Sequence, residues 1–136
     1  MSSDFVAAID LGSNSFHMIV ARIANGHVQI LDRLREMVQL AAGLDSHHRL
    51  SAESQQRALD CLARFGQRLR HIPPARLRIV GTNTLRQARN SAEFVARAEQ
   101  LLGHRVEIVS GQEEARLIYL GVAHSVGDVA GQRLVV

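Results

Sequence analysis

The sequence predicts an α/β domain built on a mixed sheet with helices on its faces. Three observations carry this. Apolar runs at residues 6–11, 16–23 and 28–34 follow one another across short polar turns, as consecutive hairpins do. Beyond residue 50 the period changes: Ala58, Leu62, Phe65 and Leu69 recur at spacings of four, three and four, one face of a helix. From there short apolar runs alternate with helical stretches, and crossover helices join strands in parallel. The expected order is βββαβαβα, a five-stranded sheet.

Each element has a local cause. Asn25-Gly26 between two apolar runs is a strong hairpin signal. Residues 37–50 contain Gly43 and His47-His48 and read as a loop with some strand. Ser51 stands where an N-cap belongs, and the helix it opens must end before Pro73-Pro74. Residues 77–80 form a short strand ending at Gly81. Ser91 is placed to cap a second helix with Phe94, Val95, Ala98, Leu101 and Leu102 as apolar positions, and Gly103 to end it. Residues 106–109 read as the fifth strand. Ser110-Gly111-Gln112-Glu113 fits a capping box, opening a third helix to about Ala123; a further apolar run closes the chain at 134–136.

Composition narrows the function. The 136 residues, 46% apolar, suit one domain with a buried core. The lone Cys61 excludes an internal disulfide and, by itself, a structural zinc site; within a helix it reads as packing rather than nucleophile. No apolar run reaches 18 residues, so no membrane span is expected. The N-terminus lacks a basic region followed by an apolar signal core, which favours the cytoplasm. The chain has no lysine, and its net charge of +3 is carried by arginine, whose guanidinium suits phosphate ligands. The arginines form no dense run and aromatics are 4%, so nucleic-acid binding through stacking is poorly supported. The seven histidines show no HxxxH or HExxH spacing; His17 lies in an apolar strand, on its solvent side.

Ligands of open α/β sheets sit beyond the carboxyl ends of strands. Three segments fall there. In the first, Asp10 ends a strand and Gly12, Ser13, Asn14 and Ser15 make a tight turn. This is either a plain hairpin turn or a set of backbone N–H groups cradling a phosphate, with Asp10 holding a hydrated cation. In the second, Gly81-Thr82-Asn83-Thr84-Leu85-Arg86, Arg86 either grips a phosphate bidentately, with Thr82 and Thr84 donating, or is a surface arginine on a turn. In the third, Glu113 takes the capping-box position. Glu114, one residue on, either deprotonates a water facing a phosphate or is a favourable charge near a helix N-terminus.

At this point the residues resemble a known family. The run Ala8-Ile9-Asp10-Leu11-Gly12-Ser13-Asn14-Ser15-Phe16-His17-Met18 closely resembles the first phosphate loop of the exopolyphosphatase and guanosine pentaphosphate phosphohydrolase family. Gly81-Thr82-Asn83-Thr84-Leu85-Arg86-Gln87-Ala88 is similar to its second motif. Ser110-Gly111-Gln112-Glu113-Glu114-Ala115-Arg116-Leu117-Ile118-Tyr119 is similar to its catalytic-glutamate segment. The three matches occur in the family's order and span essentially the whole chain.

The resemblance implies an actin-like, ribonuclease H-like ATPase fold with the active site in the cleft between two lobes. It implies release of terminal orthophosphate from inorganic polyphosphate or, as the alternative, of the 5′-phosphate from guanosine pentaphosphate, the nucleotide of the stringent response. A non-catalytic polyphosphate-binding module is the non-enzyme alternative. Carried over by position, Glu114 is the general base on water. Gly12, Ser13, Asn14 and Arg86 bind phosphate, and Asp10 lies near a divalent cation, usually Mg2+, directly or through water. A homodimer is expected of the full-length protein. Residues 1–126 are expected to form the first actin-like subdomain. Residues 127–136 are expected to be a linker and the first strand of a following subdomain, in which the family carries a second Gly-rich loop. Without that loop, the 136 residues alone are expected to lack turnover.

Overall fold

The structure, a computed structural model, describes residues 5–24, 27–73, 76–81 and 83–109. Strands β1 (Phe5–Leu11), β2 (Phe16–Ala24) and β3 (His27–Glu36) come first. Helix α1 (Ala52–Gln67), β4 (Leu77–Gly81), the short α2 (Asn83–Gln87), α3 (Ser91–Leu102) and β5 (Glu107–Ile108) follow. The sheet order is β3-β2-β1-β4-β5. β1, β2 and β3 pair antiparallel as the hairpin pattern requires, whereas β4 joins β1 in parallel and β5 joins β4 in parallel. The five strands and their mixed directions are those expected from the sequence.

Register explains the core. Ile9 lies opposite Met18 on one side and Ile79 on the other, and Leu11 lies opposite Phe16. With Ala7, Val20 and Leu77 these residues line the sheet face that meets Ala58, Cys61, Leu62 and Phe65 of α1 and Phe94 and Ala98 of α3. A fully buried large apolar side chain contributes about 1.5–3 kcal/mol, so Phe16, Phe94, Ile9, Met18 and Leu62 dominate this layer. The alternate residues Ala8, Ile19 and Val80 are also buried. A central strand apolar on both faces reads as an unbroken hydrophobic run, as 6–9 does. Cys61 is fully buried, and burial pushes its thiol up to about 12, which fits packing and not nucleophilic chemistry.

Several boundaries differ from expectation. Ser51 does cap α1, its hydroxyl accepting the Ser54 N–H at 3.0 Å. The helix stops at Gln67, so Leu69 belongs to the turns after it and still packs into the core. The stretch 37–50 is a 3-10 turn, Leu40–Gly43, followed by a loop closed by a single Leu44–Leu50 bridge. Asn90, not Ser91, occupies the N-cap of α3, and its amide is spent elsewhere: Nδ2 donates to the Leu50 carbonyl and Oδ1 accepts the Leu50 N–H. Gly103 ends α3 in the left-handed region, φ 68°, as expected. The fifth strand is shorter than predicted, and Glu99 anchors its approach by accepting the Val106 N–H at 2.9 Å. Arg78 and Glu107 then join β4 to β5 across two hydrogen bonds. The Asn25-Gly26 turn, the helix expected from Ser110 and the closing apolar run lie outside the described residues.

Candidate active site

The parallel pairing decides where the site falls. Leu11 aligns with Gly81, and Gly81 with Ile108, so β1, β4 and β5 end side by side on one sheet edge. The Gly81 carbonyl accepts the Val109 N–H at 2.9 Å, carrying that alignment to the last described residue. The first two of the three segments singled out in the sequence therefore leave neighbouring strands at the same edge. Two are described; Glu113 and Glu114 lie outside the described residues.

The first loop is a tight turn whose Gly12 N–H donates to the Ser15 carbonyl at 3.1 Å. A Cβ on Gly12 would stand 2.8 Å from that same oxygen, so the turn excludes every side chain there. Ser13 is half-buried, Asn14 exposed and Ser15 buried. Asp10 precedes the turn on the sheet face away from α1 and α3, opposite His17 on β2 and Val80 on β4. It is half-buried, with Oδ1 enclosed. His17 beside it is half-buried as well.

The second segment carries a short helix in place of the turn that its plain reading offered. It contains α2, whose Leu85 packs over the strand end at Gly81: a Cβ there would lie 2.6 Å from Leu85 Cδ1. Thr84 is thereby buried, and its hydroxyl meets the Ser13 hydroxyl at 2.7 Å. That bond ties the first loop to the second across 71 residues of sequence. Arg86 sits on the exposed side of α2. The structure thus groups Asp10, Gly12, Ser13 and Asn14 on one edge with the helix that carries Arg86.

Sequence reasoning missed the segment that shapes the first loop. The Ser13 carbonyl accepts the Ala41 N–H at 3.0 Å and the Asn14 carbonyl accepts the Gln39 N–H at 2.8 Å. The Ser15 hydroxyl reaches Met37 Sδ at 3.1 Å. Thr84 was visible only as an undifferentiated member of its motif. Gln39, Ala41 and Met37 carry no local pattern that marks them, since their partners lie more than 20 residues away.

The site's donor set fits a hydrated hard cation. No three His, Cys, Asp or Glu side chains cluster to hold a metal among the described residues. Mg2+ needs no such cage; it binds through one or two carboxylates, waters and phosphate oxygens. A half-buried Asp10 at the head of a hydroxyl-rich turn matches that chemistry.

A mixed sheet with antiparallel β1–β3, parallel β4 and β5, and a tight turn at Gly12 after β1 is the actin-like ATPase fold. Residues 19–136 match the Ppx/GppA phosphatase family, and the chain belongs to that family. A guanosine-5'-triphosphate,3'-diphosphate pyrophosphatase of Vibrio cholerae serotype O1 is 54% identical over 136 residues, which is 100% of this chain and 27% of that protein. The chain thus spans about a quarter of the length of such relatives. Among solved structures, the Ppx/GppA family member of Aquifex aeolicus superposes with a TM-score of 0.74 at 28% identity, covering 89% of this chain and 40% of that one. An exopolyphosphatase from Cytophaga hutchinsonii gives 0.75 at 28% identity, covering 88% and 38%.

Proposed function

We propose that this chain supplies the first phosphate-binding elements and the general base of a phosphohydrolase that removes the 5′-terminal phosphate of guanosine pentaphosphate. The observation that carries the substrate choice is the 54% identity, over the full 136 residues, to a protein named for that nucleotide. Inorganic polyphosphate, which led the sequence reading, is the second reading; likeness to an exopolyphosphatase structure supports it at 28% identity.

The grouping of the first two segments at one strand end supports a chemistry of phosphate neutralisation. Both substrates are polyanions, so charge must be neutralised before water can approach phosphorus. The N–H groups of the first loop and the guanidinium of Arg86 would do this, the latter as a planar two-donor fork. Ser13 Oγ, held by Thr84, would orient one phosphate oxygen. Asp10 would hold Mg2+ directly or through a water, and the bound ion would supply further neutralisation of phosphate oxygens. Glu114 would take a proton from the attacking water at a carboxylate oxygen. The water oxygen then bonds to phosphorus as the bridging P–O bond breaks. Orthophosphate and guanosine tetraphosphate leave.

The test uses the intact gene product with Mg2+, assayed for phosphate release from guanosine pentaphosphate and from long-chain polyphosphate, beside its Glu114→Gln variant. The expected result is a higher kcat/KM for guanosine pentaphosphate and a loss of about 10²–10⁴-fold in the variant. A higher kcat/KM for polyphosphate would replace the first substrate by the second. Equal rates in the variant would remove Glu114 as the base. Binding of either anion without release would leave a phosphate-binding module.

A further inference from the structure

We infer that Arg57 is a positioning residue for this reaction, acting through the backbone of residues 38–41 to aim the N–H groups of the first loop. The inference rests on the phosphohydrolase reading above. Arg57 projects from α1. Its Nε donates to the Val38 carbonyl at 2.8 Å, and its Nη2 to the Gln39 carbonyl at 3.4 Å and to the Ser54 hydroxyl at 3.3 Å. This fork spans the peptide units on both sides of Gln39, whose φ of 54° and ψ of 51° are left-handed, a conformation disfavoured for any residue bearing a Cβ. The turn so held presents two N–H groups, Gln39 and Ala41, to the Asn14 and Ser13 carbonyls at 2.8 and 3.0 Å.

The consequence for the loop comes from peptide planarity. The described peptide bonds are all trans, and in a trans peptide the C=O and the following N–H point in opposite directions. With the Ser13 and Asn14 carbonyls drawn toward residues 39–41, the Asn14 and Ser15 N–H groups are turned away from that segment. Among the described residues, neither is used in a turn or loop hydrogen bond. Two adjacent N–H groups left over in this way form a nest for an anion. Arg57 touches neither the nest nor a phosphate. It sets the turn that sets the carbonyls that set the N–H directions. Arginine suits the task, because a planar fork holds two carbonyls in one fixed relation, which an ammonium does not.

The experiment compares the intact gene product with Arg57→Gln and Arg57→Lys, and with the pair Gln39→Gly and Gln39→Val. Release of phosphate from guanosine pentaphosphate gives kcat and KM. Amide hydrogen exchange across residues 12–16, with and without inorganic triphosphate, reports the nest directly. In Arg57→Gln, kcat falls about 10²-fold, KM changes less, and triphosphate no longer slows exchange at 13–15. Arg57→Lys recovers part of both. The Gln39 pair guards against a variant that fails to fold. Both substitutions delete the same exposed side chain, but glycine accepts φ of 54° and valine resists it, so the valine variant is at least about tenfold slower than the glycine one. Wild-type kcat in Arg57→Gln, or equal rates in the Gln39 pair, would overturn the inference. If the wild type releases no phosphate from either polyanion, the reaction reading fails on its own. The inference is then judged by exchange: triphosphate protection at 13–15 that vanishes in Arg57→Gln sustains it, and no protection in the wild type ends it.

Discussion

Two short polar loops of this chain solve the same problem in opposite ways. In the loop at 45–50, the backbone N–H groups of His47 and Arg49 both donate to the Asp45 carboxylate, at 2.8 and 3.0 Å, and the Leu50 N–H donates to Asn90 Oδ1. That loop carries its own anion. In the loop at 12–15 the restraint falls on the carbonyls, through Gln39 and Ala41, and the Asn14 and Ser15 N–H groups face away from that restraint. One loop is closed by a side chain within it; for the other, the proposed anion would come from outside the chain. The difference shows that polarity and shortness do not identify an anion site. What matters is which backbone groups the surrounding structure has already used.

The largest expected effect is at Gly12. Gly12→Ala places a Cβ 2.8 Å from the Ser15 carbonyl oxygen, so the turn must open and its N–H groups lose their aim. Phosphate release by the intact gene product should fall by about 10²-fold, with KM and kcat measured separately. Full activity would mean that this turn is no more specialised than the one at 45–50.

Asn90 tests the opposite loop. Asn90→Ala removes both amide bonds to Leu50, whose backbone is packed into the core. A loss of about 2 kcal/mol in urea unfolding is expected, with kcat per folded molecule little changed. A large fall in kcat would show that the two loops are coupled.

The smallest effect is the pH response of Asp45. Hydrogen bonds from the Arg49 and His47 N–H groups hold its carboxyl below the ordinary range. A pKa lowered on folding contributes stability above the unfolded value, about 3.9, and that contribution is lost as pH falls through the folded value. Melting temperatures recorded from pH 6 to 3 should therefore fall more steeply for the wild type than for Asp45→Asn. Parallel curves would show that the loop gains nothing from its internal carboxylate.

Much of this was legible in the residues. The apolar runs at 6–11 and 16–23, the Ser51 cap and the Gly103 stop rest on forces within a few residues of each position. The second segment was not legible. Its Thr-Asn-Thr start argues against a helix, yet α2 runs from Asn83 with Leu85 packed against Gly81. Asn90 displaced Ser91 at the cap of α3 while its amide served Leu50, 40 residues away. Gln39 and Ala41 gave no signal, since the bonds that define them link backbone groups, and backbone groups are the same in every sequence; Arg57 gave none because the carbonyls its guanidinium serves lie 19 and 18 residues away.

The sequence by itself determined the periods, the turns and the kinds of residue available at each strand end, because these depend on local sterics and on alternating burial. Tertiary structure alone decided that β4 lies beside β1, that Ser13 meets Thr84, and that the carbonyls of the first loop are held while its N–H groups are turned outward. Those outcomes depend on which distant groups fill one another's hydrogen-bonding capacity, and that is settled only when the sheet and its helices close on a common core.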